Sequence, residues 1–362
     1  VKGEFVAKPF SAEAEPVAAG ALAPGRVAGQ GGLLVVPAGA NAAYRLANRV
    51  LAAGGEVRRA RAKFKAGGQE LEPGAFLISG ARPAVEAFAR ESGLEVPAVE
   101  AVEVERSSPL KPRRIALYKP WVANIDEGWT RFLLEQYEFP FKNVTDADIR
   151  QGRLAGAYDV VLLPDATVKS LLDGHAPGTV PQEYTGGLGL EGALALKEFV
   201  RQGGTLVALE SASELATDLF SLGVRNVLKG VPRQDYYCPG SLLRLKVDPA
   251  HPLTYGLPAE TVVFAENGPA FDEEGAADDE GEEQAETPAS DRLQVRFPAH
   301  FVEKDVLHSG WLLGESKIAK KAALAEVRLG QGRVVLIAFR PQFRAQPYGT
   351  FKVLFNALML AD

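Results

Sequence analysis

The fold of this chain is decided by one stretch, Gly203-Gly204-Thr205-Leu206-Val207-Ala208-Leu209-Glu210-Ser211-Ala212-Ser213. Two glycines precede an apolar run that predicts a buried strand, and the polar residues after it predict a turn into a helix. A sharp turn between a buried strand and a helix is where many α/β enzymes hold a catalytic nucleophile. The pattern predicts Ser211 at that position.

Strands and helices alternate on both sides of this stretch. Apolar runs at 114–118, 158–165 and 333–339 predict further buried strands, and amphipathic segments between them predict helices. Strands that are apolar on both faces and separated by helices are typical of a parallel sheet covered on both sides. The sequence therefore predicts a doubly wound parallel α/β sheet.

Composition divides the 362 residues into two predicted units. Residues 1–106 form a small α/β domain with an extended lead-in at 1–20. Residues 107–112 are a linker, and 113–362 hold the doubly wound sheet with a β-rich part at 233–330. Nine acidic residues and no Lys or Arg lie between Asp272 and Glu286, so we expect a disordered acidic insertion at 272–290.

The overall composition excludes several classes of protein. The net charge is −6 and no basic stripe occurs, which argues against a nucleic-acid partner. No apolar run is long enough to span a bilayer. Cys238 is the only cysteine, so no internal disulfide can form. The chain begins at Val1 without an initiator Met or a signal-peptide pattern, and we expect it to be a piece of a longer protein.

A nucleophile at the turn would need a base, usually a histidine held by a carboxylate. After the last predicted strand the chain reads Phe339-Arg340-Pro341-Gln342. This resembles the Phe-His-Pro-Glu of class I glutamine amidotransferases, with arginine in place of the base. Arginine cannot accept a proton near neutral pH. We expect a vestigial site with no catalytic residue, formed by Glu210, Ser211, Arg340 and Gln342; the alternative is an active serine amidohydrolase in which His175 serves as base.

Ligands of open α/β sheets lie beyond the carboxyl ends of the strands. The residues that the sequence sends to this crevice are Lys119, Trp121, Asp126, Glu127, Trp129, Arg131, Asp165 and His175. Two interpretations are open. Arg340 forms a buried salt-bridge network, for example with Glu210 or Asp165, or the crevice binds a small polar or saccharide-like ligand.

Two histidines, His300 and His308, raise the question of a metal site, but the surrounding sequence does not favour one. His300 and Glu303, with His308 nearby, match the spacing of zinc ligands only superficially. Residues 294–302 alternate as a strand does, and nothing predicts an open cleft there. We expect no metal ligand in this chain.

Several motifs resemble the C-terminal region of large bacterial zinc carboxypeptidases of the carboxypeptidase A type. They are Leu117-Tyr118-Lys119-Pro120-Trp121, Asp126-Glu127-Gly128-Trp129-Thr130-Arg131, residues 180–189 (VPQEYTGGLG), residues 251–258 (HPLTYGLP), residues 309–315 (SGWLLGE) and residues 339–346 (FRPQFRAQ). In that family a peptidase domain is followed by a small α/β segment and a class I amidotransferase-like domain of the flavodoxin-like type. The resemblance covers most of residues 30–362.

The resemblance implies a non-catalytic accessory region of a secreted or periplasmic metallocarboxypeptidase-like protein. Zinc would be held only by the peptidase domain, whose motifs are missing from this chain, so no zinc ligand or catalytic residue is transferred to any position. The implied partners are that peptidase domain, a second copy of the chain, or a peptide or cell-wall ligand. A carbohydrate- or peptide-binding module that uses Trp121 and Trp129 remains an alternative.

Overall fold

The computed structural model describes residues 8, 9, 11, 13, 23–102, 107–275 and 293–360. Most of the predicted lead-in and residues 276–290 of the predicted acidic insertion lie outside the described residues. Within the described part, no helix has both the length and the apolar character that crossing a membrane requires.

The N-terminal unit is a mixed sheet flanked by two helices. Its strands are β1 (Arg26–Ala28), β2 (Leu33–Val36), β3 (Glu56–Ala60), β4 (Phe64–Ala66), β5 (Gln69–Leu71), β6 (Phe76–Ser79), β7 (Glu95–Val99) and β8 (Ser107–Pro109), and its helices are α1 (Asn41–Ala52) and α2 (Arg82–Ser92). The main sheet has the order β1-β7-β2-β6-β3-β8, while β4 and β5 form a separate hairpin. The predicted small α/β unit is therefore present, with mostly antiparallel pairing.

The prediction of a linker from residue 107 is wrong for its first three residues. Ser107–Pro109 pairs antiparallel with β3 as an edge strand, and the Arg58 guanidinium donates to the Ser107 hydroxyl at 2.9 Å. Proline is tolerated on a sheet edge because no strand on the outer side needs its missing N–H. These three residues lack the alternation of apolar and polar side chains by which a strand can be recognised in a sequence.

The second unit is built on one large sheet. Its strands are β9 (Ile115–Tyr118), β10 (Phe141–Val144), β11 (Val160–Leu163), β12 (Thr205–Leu209), β13 (Val224–Asn226), β14 (Ser241–Val247), β15 (Glu260–Ala265), β16 (Phe271–Glu273), β17 (Val295–Phe301), β18 (Leu307–Ser309), β19 (Ala322–Leu329) and β20 (Gly332–Ile337). Its helices are α3 (Ile125–Gln136), α4 (Asp146–Arg150), α5 (Leu154–Ala157), α6 (Val168–Asp173), α7 (Gly189–Arg201), α8 (Ser213–Leu219) and α9 (Phe351–Leu358).

The parallel half of this sheet has the flavodoxin-like order. The strands run β10-β9-β11-β12-β20, and every neighbouring pair is parallel. The order reverses on the two sides of β9, so right-handed crossovers place helices on both faces. The predicted doubly wound flavodoxin-like fold is confirmed. The reversal opens a crevice beyond the carboxyl ends of β9 and β11.

The β-rich part extends the same sheet. Beyond β20 the order continues antiparallel through β19, β17, β14 and β15. The acidic segment begins later than predicted, because Asp272 and Glu273 belong to β16, which pairs with β13. Lys321 also pairs with the Asp272 carboxylate at 2.6 Å. This ion pair and the strand pairing order the first acidic residues.

A buried arginine joins the two units. Arg59 is 6% exposed, and its guanidinium lies over the rings of Tyr44, Phe76 and Tyr255. It donates to the Asn356 side-chain oxygen at 2.7 Å, and the Tyr44 hydroxyl donates to the same oxygen at 2.7 Å. Since Asn356 lies on α9, the N-terminal unit packs on the second unit through a shared core.

Candidate functional site

The turn after β12 places a different residue at the predicted nucleophile position. Residues 210–212 form one turn of 3-10 helix that leads into α8. Glu210 has a φ of 47°, a left-handed conformation that is strained for a residue with a side chain. In strand-turn-helix elbows the strained residue is the one that presents the nucleophile. The elbow residue is therefore Glu210, and the prediction of Ser211 was wrong by one position.

Arg340 covers the Glu210 side chain. It follows β20, and its Nε donates to the Glu210 carboxylate in a short ion pair. The same guanidinium lies 2.9 Å from the Asp165 carboxylate, 3.2 Å from that of Glu266 and 3.4 Å from that of Asp126. Of the two open interpretations, the salt-bridge network named Glu210 or Asp165 as the partner of Arg340, and the structure contains both pairs. We call Arg340 and these four carboxylates the arginine cluster.

Backbone groups hold the arginine cluster from behind. The Ser211 N–H donates to the Asp165 carboxylate at 2.9 Å, and the Glu266 N–H donates to the Glu210 carboxylate at 2.9 Å. A Cβ at Gly268 would lie 2.8 Å from the Glu210 Cγ and 2.4 Å from the Ala338 carbonyl oxygen. Glu210 is 0% exposed, and its two carboxylate oxygens accept hydrogen bonds from the Glu266 N–H and from Arg340.

The electrostatics of the cluster favour uptake of protons. Burial raises the pKa of Asp126 to about 6, with Arg340 opposing and the charges of Asp165 and Glu266 adding to the rise. Burial and the charge of Asp165 raise the pKa of Glu210 to about 8, against the opposing charge of Arg340. Burial lowers the pKa of Arg340, but the surrounding carboxylates, led by Glu210, hold it above its ordinary value. One guanidinium facing four carboxylates leaves an excess of negative charge.

Ser211 has no base in the described structure. Its hydroxyl has no hydrogen-bond partner among the residues that the structure describes, since only its N–H is engaged. The ring of His175 instead donates from Nε2 to the Trp121 carbonyl at 3.3 Å, and its backbone pairs with Thr185 and Gly186. The serine and histidine of the alternative mechanism are not brought into hydrogen-bond contact.

Gln342 occupies a buried position beside the cluster. It is 0% exposed, and its side-chain nitrogen donates to the Thr130 hydroxyl at 3.1 Å. Its side-chain oxygen has no partner in the described part of the chain. Without a histidine to orient, Gln342 connects the segment after β20 to α3.

The other predicted crevice residues separate into several places. Glu127 is buried and accepts from the Asn143 amide at 2.8 Å, with Arg131 4.0 Å away. Trp121 packs edge-on against Tyr184 at 4.7 Å between ring centres. The residues with no place in the cluster are Lys119, Trp121, Glu127, Trp129, Arg131 and His175. Only Asp126 and Asp165 of the predicted crevice set contact Arg340.

A cavity of about 510 Å³ opens beside the arginine cluster. Asp126 and Arg340 line it, as does Trp129 from the next turn of α3. Sequence analysis missed the remaining principal lining residues, which are Phe264, Glu266, Phe343 and Arg344. Phe343 and Arg344 directly follow the FRPQ motif, and this position could have identified them as site residues. Phe264 and Glu266 could not be identified from the sequence, because the ends of β15 and α3 come together only in the folded sheet.

No set of three or more His, Cys, Asp or Glu side chains in the described ranges is arranged to hold a metal ion. His308 lies 3.4 Å from the Arg244 guanidinium through its Nδ1, and burial lowers the pKa of His300. The expected absence of a metal stays a prediction.

Comparisons with known proteins give structural likenesses only. No family model matches the chain, and no curated protein matches it. A putative ThuA-like protein from Bacteroides uniformis is 12% identical, covering 67% of this chain and 89% of that one, with a TM-score of 0.38. PurLQS from Thermotoga maritima is 15% identical, covering 68% and 97%, with a TM-score of 0.42. A putative GMP synthase protein from Thermoplasma acidophilum is 10% identical, covering 68% and 92%, with a TM-score of 0.40.

The fold class rests on the strand order of the chain itself. The molecule is a flavodoxin-like α/β protein in which a salt-bridged glutamate occupies the strand-to-helix elbow.

Proposed function

We propose that this chain is a non-catalytic accessory region, with a degenerate amidotransferase-type site whose arginine cluster stabilises the strand ends. The observation that carries the proposal is the Arg340–Glu210 ion pair at the elbow. A nucleophile must reach the substrate, whereas Glu210 is 0% exposed and its carboxylate is held by Arg340 and the Glu266 N–H.

The rival function, a serine amidohydrolase, lacks its base. A serine hydroxyl needs a proton acceptor within hydrogen-bond distance. His175 is engaged with the Trp121 carbonyl, and Arg340 stands where the amidotransferase pattern has its histidine. Both features favour an inert elbow.

The finer proposal is that this chain belongs to a longer parent protein. The FRPQFRAQ, VPQEYTGGLG and HPLTYGLP motifs support a metallocarboxypeptidase-like parent, secreted or periplasmic, whose peptidase domain holds the zinc. In this proposal the chain packs on that peptidase domain, holds a peptide or cell-wall ligand for it, or mediates oligomerisation. The parent enzyme would carry the hydrolase activity.

Hydrolysis assays test the central part of the proposal. The purified chain is incubated with p-nitrophenyl acetate, glutamine and a peptide amide, beside the variants Ser211→Ala and His175→Ala. We expect all three proteins to give the same rate as the buffer. A rate that is well above buffer and is lost in Ser211→Ala would overturn the proposal.

A further inference from the structure

A second cavity lies between the N-terminal unit and the second unit. Its volume is about 220 Å³, and a cavity of about 150 Å³ is large enough to hold benzene. Ala42 and Arg45 on α1 line it from the N-terminal unit, and the other lining residues belong to the end of α3 and to residues 345–351. We call it the α1–α3 cavity. It is separate from the arginine cluster, because none of the cluster residues lines it.

An arginine without a counter-ion determines the charge of this cavity. Arg45 is the one charged side chain that the described residues contribute to its lining. Its Nε is buried, and within the described ranges its guanidinium has neither a hydrogen-bond acceptor nor a carboxylate in ion-pair contact. Glu91 and Glu138 are held by Arg49, one turn further along α1, at 3.4 and 2.7 Å. A buried donor without an acceptor is destabilising, and an anion in the cavity would remove that cost.

The ring of Phe88 holds the Arg45 guanidinium without satisfying its N–H groups. The guanidinium carbon lies 5.6 Å from the centre of this ring, which belongs to α2. A ring face attracts positive charge, but it does not supply the oxygen lone pairs that the N–H groups bind. The planar fork of a guanidinium matches the two oxygens of a carboxylate. The geometry of Arg45 therefore favours a carboxylate as the anion.

Aromatic side chains form the opposite wall of the cavity. Phe132 on α3 is 44% exposed and Tyr348 is 64% exposed, and both line the cavity. Tyr348 packs on the buried Phe351 with 5.0 Å between the ring centres. A ligand with an apolar ring or chain would cover the exposed rings and remove apolar surface from water. The wall therefore favours an organic carboxylate over an inorganic anion.

We propose that the α1–α3 cavity binds a small monocarboxylate that carries an apolar ring or chain, with the carboxylate on Arg45 and the apolar part against Phe132 and Tyr348. This goes beyond the accessory role proposed above, because an inert elbow neither requires nor excludes a ligand at a second site. Hydrolysis assays test the accessory role and binding assays test this proposal, so the failure of one leaves the other standing.

Three small molecules test the proposal by isothermal titration calorimetry at pH 7.5 and low salt. Phenylacetate supplies the carboxylate and the ring, phenylacetamide is its neutral analogue of the same shape, and acetate carries the charge without the ring. We expect phenylacetate to bind at least about tenfold more tightly than phenylacetamide, because charge-assisted hydrogen bonds to a guanidinium are the strong ones. It should also bind at least about tenfold more tightly than acetate, which buries no ring.

Variants assign the binding to this cavity. Arg45→Met keeps an apolar stem and should reduce the affinity for phenylacetate to that for phenylacetamide. Arg90→Met, which removes an exposed arginine of α2 outside the cavity, should change neither affinity. Arg45→Lys keeps the charge but loses the planar fork, so it should retain an intermediate affinity for phenylacetate. Phe132→Ala should weaken the binding of phenylacetate and of phenylacetamide by the same factor.

Thermal unfolding gives a second readout. Phenylacetate should raise the thermal midpoint of the wild-type protein and of Arg90→Met more than that of Arg45→Met, because a ligand of the folded state stabilises it in proportion to its affinity. The circular dichroism spectrum of each variant shows whether it has folded, and Phe132→Ala, at a partly exposed position, keeps the test valid if Arg45→Met has not.

Four outcomes would each overturn the proposal. They are equal binding of phenylacetate and phenylacetamide, binding of acetate as tight as that of phenylacetate, an unchanged affinity for phenylacetate in a folded Arg45→Met or Phe132→Ala variant, and no binding of phenylacetate at millimolar concentration.

Discussion

Replacing Arg340 by methionine should be among the most damaging single changes in this protein. The guanidinium contacts the carboxylates of Asp126, Asp165 and Glu210, whose side chains are 6%, 12% and 0% exposed. Removing one partner of a buried ion pair costs about 3–5 kcal/mol, because the charges that remain are neither paired nor hydrated. We therefore expect the free energy of unfolding to fall by about 3–5 kcal/mol at pH 7.5.

The same calculation predicts how the loss depends on pH. A carboxylate without its cation is relieved when it takes up a proton. Protonating an aspartate whose pKa is ordinary costs about 5 kcal/mol of free energy at pH 7.5 but only about 1.5 kcal/mol at pH 5.0. In the Arg340→Met variant the folded-state pKa values rise further, so its stability deficit should shrink to less than about 2 kcal/mol at pH 5.0.

Urea unfolding followed by circular dichroism measures the effect at both pH values. Arg26→Met is the matched control, since the side chains of Arg26 and its partner Glu95 are 76% and 64% exposed and lie 3.7 Å apart. Surface pairs of this kind contribute at most about 1 kcal/mol. An Arg340→Met deficit no larger than that of the control, or one that does not change with pH, would refute the reasoning.

Three further substitutions test other parts of the structure. Burial raises the folded-state pKa of Asp126 from 3.8 to about 6. Ionisation of this group should therefore lower the free energy of unfolding by about 3 kcal/mol as the pH rises from about 4 to above 6. Asp126→Asn should abolish that pH dependence in unfolding experiments. Gly268→Ala should cost about 1–3 kcal/mol by denaturant unfolding because its Cβ would lie 2.4 Å from the Ala338 oxygen, whereas Gly128→Ala, in open space on α3, should not destabilise. Arg59→Met should lower the thermal midpoint by several degrees, because it leaves the buried Gly74 carbonyl without its donor and removes the hydrogen bond from Arg59 to Asn356 between the two units; an unchanged midpoint would contradict the shared core.

The sequence predicted the sheet because its signals are local. Apolar runs at β9, β11, β12 and β20 are buried on both faces, and that property is visible in composition alone. The pairing of Arg340 with Glu210 or Asp165 was one of two interpretations that the sequence left open, and it could be named because residues at the carboxyl ends of parallel strands meet at one edge. In the antiparallel extension through β14 and β15, the carboxyl ends of neighbouring strands lie at opposite edges of the sheet, so this rule does not apply there.

The details of the site depended on geometry that a sequence does not state. The strained φ of Glu210 moved the elbow by one residue from Ser211, and no composition rule distinguishes two neighbouring polar residues there. Glu266 joins the arginine cluster through a contact with Arg340, 74 positions away in the sequence, and the cavity is lined by residues from α3, from the end of β15 and from the segment after β20. Long-range packing of this kind decides whether a crevice is filled or open.

Labelling with a fluorophosphonate tests the central claim most directly. The purified chain is treated with the reagent at pH 8, beside an active serine hydrolase, and Ser211 is examined by mass spectrometry of its peptide. An elbow occupied by a salt-bridged Glu210, with Ser211 lacking a base, predicts no adduct at Ser211 while the control enzyme is fully modified. Stoichiometric modification of Ser211 that disappears in His175→Ala would show an active serine nucleophile and contradict the account.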